Sequence, residues 1–244
     1  AVIGMGLVGQ IVCRILNAYG CDVIGYDVVD KTMPGTRLKA FINSGDDNAA
    51  DMTKALTRGR GVDKVIITAA TNSNAPMDLA AAIARDRGII CMIGVTQMNI
   101  DRRPYYEREL SFRIARSYGA GRYDSTYEQK GIDYPIGYVR FTEGRNIEEF
   151  VRLLAQGRIS LADIITHEIP FEKAAEAYEM ITKNPNHERY IGVLLKYDEN
   201  DTKWQSRIEN PKAKRAASGE KIRLGLIGAG NFVRSTMLPI MKET

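Results

Sequence analysis

The 244 residues include only three cysteines, two histidines and one tryptophan. Cys13, Cys21 and Cys91 lie among apolar neighbours at no metal-binding spacing. That pattern excludes a disulfide framework and predicts buried, reduced thiols. There is no HExxH, no paired CxxC and no Cys/His cluster, so no zinc site is expected within the chain. His167 and His187 are isolated in sequence; the first reads as structural and the second as part of a polar surface turn. No apolar run approaches the about 18 residues of a membrane span, and no secretory leader is visible. No GxxxxGK[ST] element supplies the lysine and hydroxyl of a nucleoside-triphosphate site. The formal charge of +4 is modest, and "KAKRAASGEK" at 212–221 carries much of the excess. A nucleic-acid footprint needs a basic face with stacking aromatics. The expectation is a cytoplasmic protein with neither a nucleic-acid nor a membrane partner.

What the chain does contain is alternation. Apolar residues make up 44% and charged residues 26%, an ordinary globular balance. "GLVGQIVCRILNAYG" spaces Val8, Val12, Ile15 and Leu16 as one face of a helix that Gly20 ends. "CDVIGYD" reads as a strand ending at Asp27. "GTRLKAFINSG" is expected to hold a short helix with Leu38, Phe41 and Ile42 on one side, and "ADMTKALTRGRG" another. "VDKVIITAA" and "GIICMIGV" are continuous apolar strands, separated by the helical "NAPMDLAAAIARDRG" with Pro76 in its first turn. Such strands alternating with helices predict an α/β fold, a doubly wound parallel sheet of the Rossmann type.

Further on, "NIEEFVRLLAQG" offers Asn146 as a helix cap, Glu149 three residues later, and a stripe of Ile147, Phe150, Val151 and Leu154. "PFEKAAEAYEMI" is a second helix and "RYIGVLLKY" a strand near 190–196. From Asp198 to Glu220 the pattern fades. "KIRLGLIGAGNFVRSTMLPIM" then predicts a strand into Gly228-Ala229-Gly230 and a helix after it. The expected organisation is a dinucleotide-binding domain over 1–196, a linker over 197–220 and the start of a second Rossmann unit over 221–244. Only Ala1, Val2 and Ile3 precede Gly4, so the chain reads as truncated at both ends.

The first turn, "VIGMGLVGQ", carries the chemistry. Gly4 permits the tight turn out of the strand, Gly6 lets backbone approach a pyrophosphate, and Gly9 lets the helix pack closely on the sheet. The amides of Leu7 and Val8 open the helix, where free N–H groups and the dipole favour phosphate. Asp27, 23 positions beyond Gly4, suits the adenosine ribose hydroxyls and repels a 2′-phosphate. NAD is therefore the expected cofactor over NADP, although Lys31 blunts the preference. Ligands of open α/β sheets sit beyond the carboxyl ends of the strands. There, the small residues Thr68, Ala69, Gly94 and Val95 leave room beside the nicotinamide. "RSYGAGRYDSTYEQKGIDYPIGYVR" interleaves tyrosines with arginines. Arg122 and Tyr123 are the candidates for gripping an anionic or sugar-like substrate.

"VIGMGLVGQ", "VIGYD", "GRGVDKVIITAA" and "RGIICMIG", in that order, resemble the coenzyme-binding domain of the medium-chain, zinc-type alcohol dehydrogenase family over roughly residues 1–195. The resemblance implies pyrophosphate contacts at Gly4, Gly6 and Gly9 and a ribose contact at Asp27. It also implies that any zinc is supplied by an N-terminal domain absent from this sequence. "IRLGLIGAGNFVRSTMLP" resembles the opening of the glucose-fructose oxidoreductase/inositol dehydrogenase family, except that Val233 stands at its third glycine position. The pair resembles bacterial two-domain oxidoreductases, often associated with sugar or nucleotide-sugar chemistry. The leading expectation is hydride transfer between NAD(H) and a small alcohol/carbonyl substrate, with the catalytic residues unassigned. Two alternatives stay open: an NAD-binding regulatory or scaffolding module without turnover, and an epimerase or dehydratase using NAD transiently. An exposed sheet edge is expected to support a homodimer.

Overall fold

The computed structural model describes residues 1–198, 225–228 and 230–243. Two compact units divide at Asp198 and Glu199. The first is a six-stranded parallel sheet with helices on both faces. Its strands are β1 (Val2–Ile3), β2 (Ile24–Asp27), β3 (Ala40–Asn43), β4 (Val62–Ile67), β5 (Ala84–Met92) and β6 (Ser111–Ile114). The spatial order is β3-β2-β1-β4-β5-β6, and every neighbouring pair is parallel. The order reverses between β1 and β4, which opens a crevice at the carboxyl ends of these two strands.

Alternating side chains divide the core. Val2 faces a cluster with Met5, Cys13 and Val23, covered by α1 (Leu7–Ala18). Ile3 joins Ile24, Tyr26, Val65, Ile67 and Ile90 on the other face, with Met77, Ala80 and Ile83 of α3 (Ala75–Ile83) and Ala49 of α2 (Ala49–Leu56). Pro76 lies in the first turn of α3, as the sequence suggests. Burial pushes the Cys13 thiol up to about 12 and so keeps it inert. The expectation that all three cysteines are buried fails: Cys91 is partly exposed and Cys21, in the loop after α1, is exposed.

Two local expectations are corrected. Residues 40–43 form the edge strand β3, not a helix. Tyr26 pairs with Ile42, and Phe41 and Ile42 pack into opposite clusters, so pairing with the open edge of β2 sets a period of two. Helix α3 ends at Ile83, because Ala84 already pairs with Val62, and Arg108 donates to the carbonyls of Ala81 and Ala84 at the helix end. The remaining α3 segment expected through Arg85–Gly88 therefore belongs to β5.

After β5 come α4 (Arg102–Glu107), β6, α5 (Ser125–Glu128) and α6 (Glu143–Ala155). Helix α6 begins one turn before the expected cap; Thr142 is its N-cap, and the amide side chain of Asn146 donates to Tyr118 O. It buries Leu153, whereas Ile147 and Val151 of the expected stripe are exposed. A separate two-stranded parallel sheet joins β7 (Ile165–Pro170) to β8 (Gly192–Lys196), with α7 (Ala174–Thr182) between them. His167 lies on β7 beside Glu188, 3.6 Å away, and His187 occupies a turn at φ 51°.

In the second unit, residues 225–228 form no strand, a π-helical turn spans Val233–Met237, and α8 (Leu238–Glu243) follows. The expected linker beyond Asp198 and the start of the expected second strand fall outside the described residues. Among the described residues, no helix is long and apolar enough to cross a membrane.

Candidate functional site

The glycine turn leaves β1 at the point where the sheet reverses. Gly4 adopts φ +103°, and a Cβ there would lie 2.6 Å from Ala69 N. A Cβ on Gly9 would lie 1.8 Å from Gly4 O, and one on Gly94 would lie 2.0 Å from Ala69 O. These three glycines are therefore required by contacts within the protein. Gly6 differs: apart from its own chain neighbours, nothing among the described residues lies within 4 Å of the position its Cβ would take. Its backbone, φ −74° and ψ −167°, is open to any residue. The first helical bond of α1 runs from Gln10 N–H to Gly6 O, so the N–H groups of Leu7, Val8 and Gly9 have no partner among the described residues. Free donors thus surround a backbone position with open space above it.

Asp27, at the end of β2, turns toward this feature. Its Oδ2 accepts from Met5 N–H at 2.7 Å, and its Oδ1 accepts from Val28 N–H at 2.8 Å. The Lys31 ammonium lies 3.9 Å from Oδ1. An ionised carboxylate has about four acceptor positions, so this carboxylate retains capacity for hydroxyl donors. Thr68 braces the turn from the end of β4, its hydroxyl 2.7 Å from Gly4 O and 3.1 Å from Ile3 O. Beyond β4 and β5, Ala70 and Val95 form a single parallel bridge, and the Val95 side chain is exposed. Gly4, Gly6, Leu7, Val8, Gly9, Asp27, Thr68, Ala69, Gly94 and Val95 thus gather at the carboxyl ends of β1, β2, β4 and β5.

Arg122 and Tyr123 lie in the segment after β6, and their ion-pair and ring partners are within it. Arg122 pairs with Glu128 at 2.7 Å and lies over the rings of Tyr118 and Tyr123. Tyr123 is exposed at φ 67°. The surrounding segment is internally bonded, with Tyr134 donating to Asp124 and Arg145 paired with Asp133.

Gln10 was missed by sequence reading. It is fully buried, and its amide makes four bonds. Nε2 donates to Met5 O at 3.2 Å and Lys31 O at 3.0 Å; Oε1 accepts from Met33 N–H at 2.9 Å and the Thr36 hydroxyl at 3.1 Å. One side chain therefore ties the glycine turn to the loop after Asp27. Replacing it by leucine strands all four partners, and Gln10→Leu should lower stability by roughly 2–4 kcal/mol. Urea unfolding at unchanged m-value checks this; a loss below about 0.5 kcal/mol would show that the loop holds without it.

A parallel sheet in this strand order, with a glycine turn at its reversal point, defines a Rossmann-type α/β domain. A sequence model of the zinc-binding dehydrogenases matches residues 8–133, a little over half of the chain, and the protein belongs to that family. Sorbitol dehydrogenases 1 and 2 of Saccharomyces cerevisiae are each 25% identical over 186 residues, which cover 73% of this chain and 46% of theirs. The chain thus spans about half the length of these curated relatives. The fold is shared with alcohol dehydrogenase TADH from Thermus sp. ATN1 (TM-score 0.60, 20% identity, 81% of this chain and 50% of that one). It is also shared with a short chain alcohol dehydrogenase from Escherichia coli CFT073 complexed with cofactor NADH (TM-score 0.58, 19% identity, 80% and 50%). Among the described residues, no group of three or more His, Cys, Asp or Glu side chains could hold a metal ion. The donors described here do not fit the zinc of the family's name.

Proposed function

We propose that residues 1–196 bind NAD(H) and form the cofactor half of an oxidoreductase acting on a small alcohol/carbonyl pair. One observation carries this reading: open space at Gly6, ringed by unpaired amides and faced by Asp27. The amides of Leu7, Val8 and Gly9 would hold the pyrophosphate, and Asp27 the adenosine ribose. The cofactor, when bound, supplies hydride exchange at its nicotinamide ring. Thr68, Ala69, Gly94 and Val95 would border that ring, with Thr68 holding the turn in place. The family membership and the NADH complex of a structural neighbour support this assignment.

Arg122 and Tyr123 remain the substrate-side candidates, a role in which Arg122 must divide its donors between Glu128 and the substrate. Any zinc would come from residues outside this sequence. Residues 197–220 are read as a linker and 221–244 as the opening of a second unit of the glucose-fructose oxidoreductase/inositol dehydrogenase type. The exposed edge of β6 is the proposed dimer contact, and a cytoplasmic setting fits the thiol usage.

Asp27→Ala tests the cofactor reading. Charged hydrogen bonds contribute about 1.5–3 kcal/mol, so NADH affinity should fall by roughly ten- to a hundredfold while NADPH is far less affected. Fluorescence titration of both dinucleotides measures it. Equal affinity of wild type and variant for NADH would overturn the ribose assignment.

A further inference from the structure

A second cleft, of about 290 Å³, lies along the flank of α1 and shares no lining residue with the glycine turn or Asp27. Arg14, Asn17, Gly35, Arg37, Arg158 and Ser160 line it. Arg14 is 3% exposed, a guanidinium almost wholly withdrawn from water. Only its Nη2 is engaged, 2.7 Å from Asp163 Oδ2. That same oxygen also accepts Gly35 N–H at 2.7 Å. Arg14 Nε and Nη1 are buried with no partner among the described residues, and so is Asn17 Oδ1.

Buried N–H groups are nearly always paired, and leaving a charged one unmatched costs more than a neutral one. The missing acceptor must therefore come from outside the described side chains. Charge selects its class. Arg37 makes no ion pair among the described residues, and Arg158 donates only to Ala18 O and lies over the Tyr19 ring. Of the three arginines that line the cleft, only Arg14 is paired with a carboxylate among the described residues. A water could meet one N–H but leaves the positive excess uncompensated. The volume also far exceeds the about 30 Å³ that one water occupies in the liquid.

We propose that this cleft binds a phosphate-type oxyanion, either free phosphate or the phosphate group of a monoester. Its oxygens accept from one of the two unpaired Arg14 donors and from the forks of Arg37 and Arg158, which suit a tetrahedral oxyanion. A P–OH, or an alcohol of the attached group, donates to Asn17 Oδ1. The site clamps α1 to the loop at Gly35 and does not rest on the NAD assignment.

The test is amide NMR of the full chain, titrated with inorganic phosphate or glycerol phosphate at ionic strength held constant with chloride. Saturable shifts are expected at the Gly35 and Ser160 amides and the Asn17 side chain. The tighter of the two probes identifies the source. Arg14 is avoided because its loss strands Asp163. Arg37→Ala/Arg158→Ala should raise Kd about tenfold or more. Arg37→Lys/Arg158→Lys should retain most of the affinity, as should Arg102→Ala/Arg103→Ala, which removes the same charge on α4. Non-saturating drift, shifts confined to Leu7–Gly9, or an unchanged Kd in the double alanine variant would overturn the proposal.

Discussion

Gly6→Ala should fold as well as the parent and bind NADH about a hundredfold more weakly, a loss of roughly 2.7 kcal/mol. The two halves of this expectation have separate causes. Folding survives because the residue's φ of −74° suits alanine, and beyond its chain neighbours none of the described residues comes within 4 Å of the added methyl. As an N-cap, alanine is inferior to glycine by under about 1 kcal/mol. Binding fails because, in the proposed mode, the methyl occupies the space through which the pyrophosphate reaches the amides of Leu7, Val8 and Gly9. A core glycine cannot give this dissociation, since its substitution damages fold and site together. Urea unfolding and NADH fluorescence titration on one preparation read both halves. A variant that binds NADH normally would show that the open space is not the pyrophosphate seat. A variant that unfolds would show that Gly6 is packed after all.

The sheet was legible because its inner strands are continuous apolar runs bounded by glycine and acidic residues. Val65, Ile67 and Ile90 lie at the centre of the core as those runs require. Asp27 was legible for a similar reason: a carboxylate at a strand end, 23 residues after Gly4, has few local tasks. The larger failures involve partners distant in sequence. Residues 40–43 form a strand because β2 offers an unpaired edge, which no local periodicity records. Helix α3 stops at Ile83, where Arg108, 25 positions later, bonds its last carbonyls. Gln10 within an apolar helix reads as a solvent-facing residue until the loop carrying Lys31, Met33 and Thr36 folds over it. Arg14 hides in the same way, since its carboxylate, Asp163, is 149 residues away. The glycines, by contrast, were legible in their separate roles: the one expected to leave room for a ligand faces open space, and the two expected to serve the turn and the helix packing face backbone.

Gly9→Ala should show the opposite behaviour to Gly6→Ala, losing stability and NADH binding together. Its methyl would be built 1.8 Å from Gly4 O and 2.9 Å from the Thr68 hydroxyl, both close to the sheet. Ordinary carbon contacts begin near about 3.5 Å, so α1 must lift from the sheet by more than an ångström. Gly4 cannot yield in its place, because its φ of +103° and its bonds to Tyr26 O and the Thr68 hydroxyl hold the carbonyl where it is. Lifting α1 opens the cluster of Val2, Met5, Cys13 and Val23 and stretches the four bonds of Gln10. Overpacking of this severity costs about 3 kcal/mol or more. The same displacement carries the amides of Leu7 and Val8 away from Asp27, so the pyrophosphate and ribose contacts can no longer form at once. The urea midpoint should drop at nearly constant m-value, and NADH should fail to saturate the folded fraction. Stability within about 0.5 kcal/mol of the parent would mean that the turn accommodates the methyl by a local shift, and the close helix–sheet contact would then not be what fixes this glycine.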